Sequence, residues 1–183
     1  MGTRGQAVAG VDDVADLVIG VPPLDVYTEA WTALGAEPVA VPWRDVPQQL
    51  QRGDIAAQDG TPDMFRRANL HETQDHYSVI DYSWMGFLLA ANRYSWERLP
   101  TGIQQIIGDA AMEAGRWAAE QWKRRQSDAL AAMEKAGVSV ERSPDVTGFR
   151  EQAHAFYATL QDKPWYDAKL VARIRGLADK EDK

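Results

Sequence analysis

Short β-type runs alternate with helix-period segments over the first third of the chain. Val18–Val21 and Pro38–Val41 are each followed by a segment whose apolar residues recur at helical spacing, and a third run opens at Asp54. That order predicts repeated α/β crossover units. Such units put the loops after each strand on one rim of a sheet, where ligands of open α/β sheets bind. In Leu24–Leu34 the residues Val26, Ala30, Ala33 and Leu34 share a face, and Gly35 supplies the stop. Trp43–Gln51 predicts a second helix closed by Gly53, and Met64–Asn69 a third, entered through the cap-then-proline pair Thr61-Pro62. Tyr77–Asn92, rich in β-branched and aromatic residues with few breakers, predicts one or two strands.

The longest periodic segment follows Leu99-Pro100-Thr101. Ile103, Ile106, Ile107, Ala110, Ala114, Trp117, Gln121, Trp122, Ala129 and Met133 track one helical stripe, which run unbroken to Ala136 is on the order of 50 Å long at the usual rise per residue. Gly137 ends it, Val138–Glu141 reads as a short strand, Ser143-Pro144 opens a helix through Leu160, and a last helix runs from Trp165 to Ala178. Trp117 and Trp122 read first as core or groove fillers. Trp43 and Trp84, at predicted strand ends, are as well placed to line a small-molecule cleft as to pack.

At 183 residues, 45% hydrophobic with seven Trp, the chain has enough apolar surface to bury a core. A net charge of −7 from 27 acidic and 20 basic residues argues against a nucleic-acid partner, which demands a concentrated basic face. The absence of cysteine removes disulfides and thiolate metal sites. No apolar stretch approaches the roughly 20 residues of a membrane span. The first ten residues lack the apolar core of a secretory signal, so the chain as written is expected in the cytoplasm.

Catalytic motifs are weak. His71 and His76 in H-E-T-Q-D-H are five apart, not the one-turn spacing of a zinc helix, and read as a solvated loop, not a metal site. Asp12, Asp13 and Asp16 read as a surface acidic cluster. Nucleophile-elbow, phosphate-cradle and dinucleotide fingerprints do not occur. No metal, no cofactor and no catalytic residue is expected, and the chain reads as a non-enzyme.

Gly35–Pro62 reads G-A-E-P-V-A-V-P-W-R-D-V-P-Q-Q-L-Q-R-G-D-I-A-A-Q-D-G-T-P. It resembles the G-A-x-P-x-x-[MV]-P-[FW]-x-E-V-x-x-x-L-x-x-G-x-V-D-G-Q-E-N-P signature of the DctP family, the solute-binding proteins of tripartite ATP-independent periplasmic (TRAP) transporters. Val11–Pro22 is similar to the family's D-D-L-K-G-L-K-I-R-V-P, Ala91–Ala111 to its strand-then-helix segment, and A-G-V-S-V to the close of its long helix. The resemblance covers nearly the whole chain.

It implies an α/β fold: a periplasmic-binding-protein-like second lobe with a mixed sheet, a long inter-lobe helix and C-terminal helices. Residues 1–92 would form the ligand-binding lobe and 93–183 the long helix, short strand and packing helices, with signal peptide and first lobe absent. It implies a receptor that hands a small organic acid or polyol solute to TRAP membrane permease subunits in the periplasm, with a separately encoded first lobe as a further partner. The candidate ligand-binding residues are Gly20, Pro23, Trp43, Gln58, Asp59, Gly60, Tyr82 and Trp84. The family's carboxylate-clamping Arg falls on Gly20 and its Q-E-N triplet on Gln58, Asp59 and Gly60. A glycine cannot make the bidentate contact of an arginine. This leaves a neutral solute, a solute held by other groups, or no solute. Gly20→Arg is expected to raise affinity for organic acids if the lost clamp is the sole defect. The alternative reading is a helical interaction protein, or a fragment that binds nothing, with apolar faces of Tyr77–Asn92 and Ile103–Met133 left exposed.

Overall fold

The computed structural model describes residues 1–83 and 86–181. Strands β1 (Gly2–Thr3), β2 (Val18–Val21), β3 (Glu37–Ala40), β4 (Ala57–Gln58), β5 (His76–Ser78) and β6 (Ser139–Glu141) form one sheet in the order β3-β2-β4-β1-β5-β6. β1 is antiparallel to both neighbours, and every other pairing is parallel. Helices α1 (Asp25–Ala33), α2 (Val46–Arg52), α3 (Pro62–Arg67), α4 (Arg93–Glu97), α5 (Thr101–Lys135), α6 (Thr147–Thr159) and α7 (Ala168–Glu181) complete the chain. The α/β units and the long helix are those that periodicity predicts, and the mixed sheet is what the resemblance implies.

Alternation along β2 divides the core. Ile19 and Val21 face Trp31 of α1, Phe149 of α6 and Val14. Val18 packs on the opposite face, with Val41, Leu50, Ile55, Phe65, Tyr77 and Met133. Helices therefore cover both faces, as parallel strands require. The loops are shaped locally: Gly53 takes φ 80° to close α2, and Thr61 caps α3 ahead of Pro62. Asp13, expected in a solvated acidic cluster, accepts from the amides of Ala9 (2.8 Å) and Gly10 (2.9 Å) and fixes the turn before β2.

Two expectations need correction. Among the described residues of the Tyr77–Asn92 region, only Tyr77 and Ser78 are in a strand, the end of β5. Beyond it, 79–83 and 86–92 form none, and Phe87, Leu88 and Leu89 stand 85, 96 and 83% exposed. Composition favours a strand there, but a strand exists only where a neighbour satisfies its N–H and C=O groups. Trp117 and Trp122, read first as core or groove fillers, stand exposed, whereas the exposure of the Ile103–Ile107 face is as expected for a chain lacking the lobe that would cover it. Ala129 and Met133 are in the core, while Ile103, Ile106, Ile107, Trp117 and Trp122 face solvent. Among the described residues no helix is long and apolar enough to cross a membrane.

Truncating the two ends of the stripe should therefore have unequal effects in urea unfolding. Met133→Ala is expected to cost about 2–5 kcal/mol, and Ile106→Ala, on the exposed stretch, no more than about 0.5 kcal/mol. Equal losses would show that the whole of α5 is packed in solution.

Candidate functional site

Because β2 to β6 all run the same way, their carboxyl ends share one rim, reached by the loops at 22–24, 41–43, 59–61, 79–83 and 142–146. Toward the β5–β6 end of that rim lies a cavity of about 630 Å³ between α1, the 79–83 segment, the 142–146 loop, α6 and α7. Its volume suits a small ligand. Its walls are mainly apolar and aromatic, with Tyr27, Tyr82, Phe149 and Phe156 prominent, and Asp81, Arg142 and Arg150 are the charged groups among them. Of the seven described residues among those singled out from sequence, Tyr82 alone is in this wall.

Most of the others meet along β4 and the turn after it, where the chain sends successive side chains to opposite faces. Gln58 is fully buried, and its Oε1 accepts from the Gly60 amide while the Gly60 carbonyl accepts from Tyr77 Oη at 2.9 Å. Trp43 lies against the same glycine: a Cβ at position 60 would sit 3.1 Å from its ring and 2.5 Å from Gln58 Oε1. The asparagine of the related signature has no room there. Trp43, Gln58 and Gly60 thus form one packed group, in which Gln58 braces the loop.

Asp59 points the other way. Tyr82 Oη donates to its carboxylate, and the Tyr82 ring stands 4.9 Å from that of Trp31. Burial pushes the Asp59 carboxyl up, opposed by the Tyr82 hydroxyl and by the Trp31 indole N–H. The latter faces the carboxylate without reaching hydrogen-bond geometry. Burial also raises the Tyr82 phenol, as does the adjacent Asp59 charge. The Met1 amine, which donates to the Ser78 carbonyl at 2.6 Å, is lowered by burial to about 5.

Gly20 and Pro23 stand apart. A Cβ at Gly20 would lie 2.6 Å from Ile55 Cδ1, the end of a core side chain that a side chain at 20 would have to displace. Pro23 is exposed and lines neither this cavity nor the smaller hollow between α1 and α6. Trp84 lies outside the described residues. Reasoning from sequence overlooked Tyr27, Phe149 and Arg150. The available signal was the i, i+4, i+7 spacing of Phe149, Ala153 and Phe156, which marks the inward face of α6.

Gly20→Arg alone is expected to lower stability by about 1–3 kcal/mol through overpacking, with part of the loss recovered by adding Ile55→Ala. Denaturant midpoints of the three proteins test this, and an unchanged midpoint for the single variant would contradict it. Between 3.8 and its raised folded pKa, the Asp59 carboxyl holds a proton that the unfolded chain has lost. Its contribution to stability is therefore present below 3.8 and falls as pH rises through the folded pKa. The Met1 amine has the opposite slope between about 5 and 8.0. The difference between wild type and Asp59→Asn isolates the carboxyl: Asp59→Asn should melt higher at pH 7, with the gap closing as pH is lowered toward 3.8. A gap that widens on acidification would reverse the assignment.

The chain has recognisable relatives. It is 27% identical over 128 residues to the C4-dicarboxylate-binding periplasmic protein DctP of Rhodobacter capsulatus, which covers 70% of this chain and 38% of that protein. It is 26% identical over 155 residues to the ectoine-binding periplasmic protein TeaA of Halomonas elongata, 82% of this chain and 46% of that protein. The chain thus spans less than half the length of these relatives. Its fold matches a TRAP periplasmic solute-binding protein from Ochrobactrum anthropi, crystallised with its C-terminus in its ligand-binding pocket, at TM-score 0.84 and 18% identity over 99% of this chain and 57% of that one. A Sulfitobacter TRAP protein with bound β-D-galacturonate matches at TM-score 0.76 and 17% identity over 89% and 55%. A model of the bacterial extracellular solute-binding protein family 7 (DctP) matches residues 1–163. That match extends over most of the chain, which therefore belongs to the DctP family of solute-binding proteins.

Proposed function

We propose that this chain forms one wall of the cleft of a TRAP-type solute receptor, delivering a small organic acid or related solute to membrane permease subunits in the periplasm, without a catalytic step. The observation that carries this reading is the cavity at the carboxyl rim, where ligands of such sheets bind. The named cargoes of relatives, C4-dicarboxylates, ectoine and galacturonate, support this solute class. Tyr82 faces the solute, while Trp43, Gln58, Asp59 and Gly60 hold the loop after β4. Residues 1–92 carry most of the rim, and 93–183 add α6 and the long helix.

The opposite wall comes from a complementary lobe. The chain exposes 12,682 Å², against about 8,800 Å² for a compact chain of its mass. Part of the excess is apolar: Phe87, Leu88 and Leu89 together with Ile103, Ile106, Ile107 and Trp117. Patches of this kind mark interaction surfaces. They also favour a second reading, a helical interaction protein that pairs through α5.

Thermal unfolding with intrinsic Trp fluorescence, against succinate, galacturonate, ectoine and a neutral polyol, tests the first reading. A ligand of the folded state raises the midpoint by mass action, by about 2.7 kcal/mol at a hundredfold excess over its Kd, and half-exposed Trp43 reports it. Sedimentation tests the second. A stable dimer that Trp117→Glu dissolves, with no ligand moving the melting midpoint, would replace the receptor reading.

A further inference from the structure

We infer that Tyr82 determines the specificity of the rim cavity by accepting a hydrogen bond from the solute, and that this solute is uncharged, a hydroxyl on an aromatic or aliphatic body. The inference rests on the receptor reading and narrows its solute to an alcohol.

Among the described residues, the wall is apolar where it is buried and charged only where it meets water. Leu34, Ile80, Phe149 and Leu160 are buried, with Tyr27 and Phe156 half-buried beside them. Asp81, Arg142 and Arg150, the charged groups of the wall, are all exposed. Arg142 is also engaged, its Nε and Nη2 donating to Glu134 Oε1 at 3.2 and 3.0 Å. Gly20, where the family signature carries its arginine, supplies no charge. A carboxylate seated among the buried residues would lose its water with no fixed cation in return. An uncharged body gains from the same apolar and aromatic surface.

The polar contact comes from Tyr82. Its ring is held 4.9 Å from that of fully buried Trp31, and its Oη donates to the Asp59 carboxylate. An ionised carboxylate only accepts, so the one proton of the phenol is committed to Asp59. Burial and the Asp59 charge raise the phenol's pKa, which keeps that proton in place at neutral pH. What Tyr82 offers the cavity is therefore the free lone pair of Oη, an acceptor. A hydroxyl on the solute satisfies it, whereas a carboxylate, ketone or ether oxygen has no proton to give. The bond to Asp59 strengthens the acceptor as well, because successive hydrogen bonds polarise one another.

Isothermal titration of the full chain at about pH 8 with 3-phenylpropanol, its methyl ether and 3-phenylpropionate provides the test, with succinate, galacturonate and ectoine alongside. The alcohol should bind about fivefold or more tighter than the ether, the worth of one hydrogen bond, and tighter than the acid. Tyr82→Phe should bring the alcohol down to the affinity of the ether and leave the ether where it was, a change of ratio that lost packing alone would not produce. Asp59→Leu frees the phenol proton to face the cavity, and the ether should then bind as tightly as the alcohol. Equal binding of alcohol and ether by wild type, the wild-type ratio retained in either variant, or tighter binding of 3-phenylpropionate than of the alcohol would overturn the inference. Succinate, galacturonate or ectoine bound where no phenylpropyl compound binds would overturn it while leaving the receptor reading intact. Binding of none of these compounds would overturn both.

Discussion

Two residues join the halves of the sheet. Gly2 pairs with both Gln58 and Tyr77, and Thr3 with both Ala57 and His76, so β1 is the sole bridge between β3-β2-β4 on one side and β5-β6 on the other. The bridge tolerates no side chain at its first position. A Cβ on Gly2 would lie 2.6 Å from both Phe65 and Gln74 Oε1 and 2.9 Å from Gln58 Nε2. Strand pairing satisfies backbone groups that would otherwise be buried unpaired. Without β1, the loops after β4 and β5 would lose their common rim, and Asp59 and Tyr82 would have no reason to meet.

From that rim the alternation of β4 divides the labour. Gln58 goes to the Phe65–Tyr77 side, where it holds the turn that Trp43 covers. Asp59 goes to the Trp31 side, where the Tyr82 hydroxyl bonds it and burial resists its charge. A buried carboxylate is tolerated only when hydrogen-bonded, and the Tyr82 bond meets that condition while placing a phenol in the cavity wall. The same local rule that sends Asp59 to Tyr82 turns position 20 toward Ile55.

The long helix shows a different balance. Its C-terminal third is held by Met133 and Ala129 in the core and by Gln126, whose Oε1 accepts from the Asp63 amide at 3.2 Å. The preceding turns continue on helix propensity and backbone bonding, exposing an apolar stripe that no described element covers. The exposed run at Phe87–Leu89 is the strand counterpart of the same situation. Both are sequences patterned for contact without a neighbour to contact.

Periodicity and punctuation determined the local elements. β2, β3, α1, α2, α3, α5, β6 and α6 lie close to where apolar spacing, Gly35, Gly53, Pro62 and Gly137 place them, because such signals act within a few residues. The grouping of Trp43 with Gln58 and Gly60 was foreshadowed by their places after β3 and β4. What depends on distant partners was not legible there. β1 is too short to show a period, residues 79–83 and 86–92 have strand composition without a ladder, and the α5 stripe before Ala129 has core composition without a core. The Asp59–Tyr82 bond, the Ile55 side chain beside Gly20 and the presence of Arg150 in the cavity wall join residues far apart in the chain. Only the tertiary structure decided them, because burial and pairing belong to the space between elements, while the sequence pattern specifies each element alone.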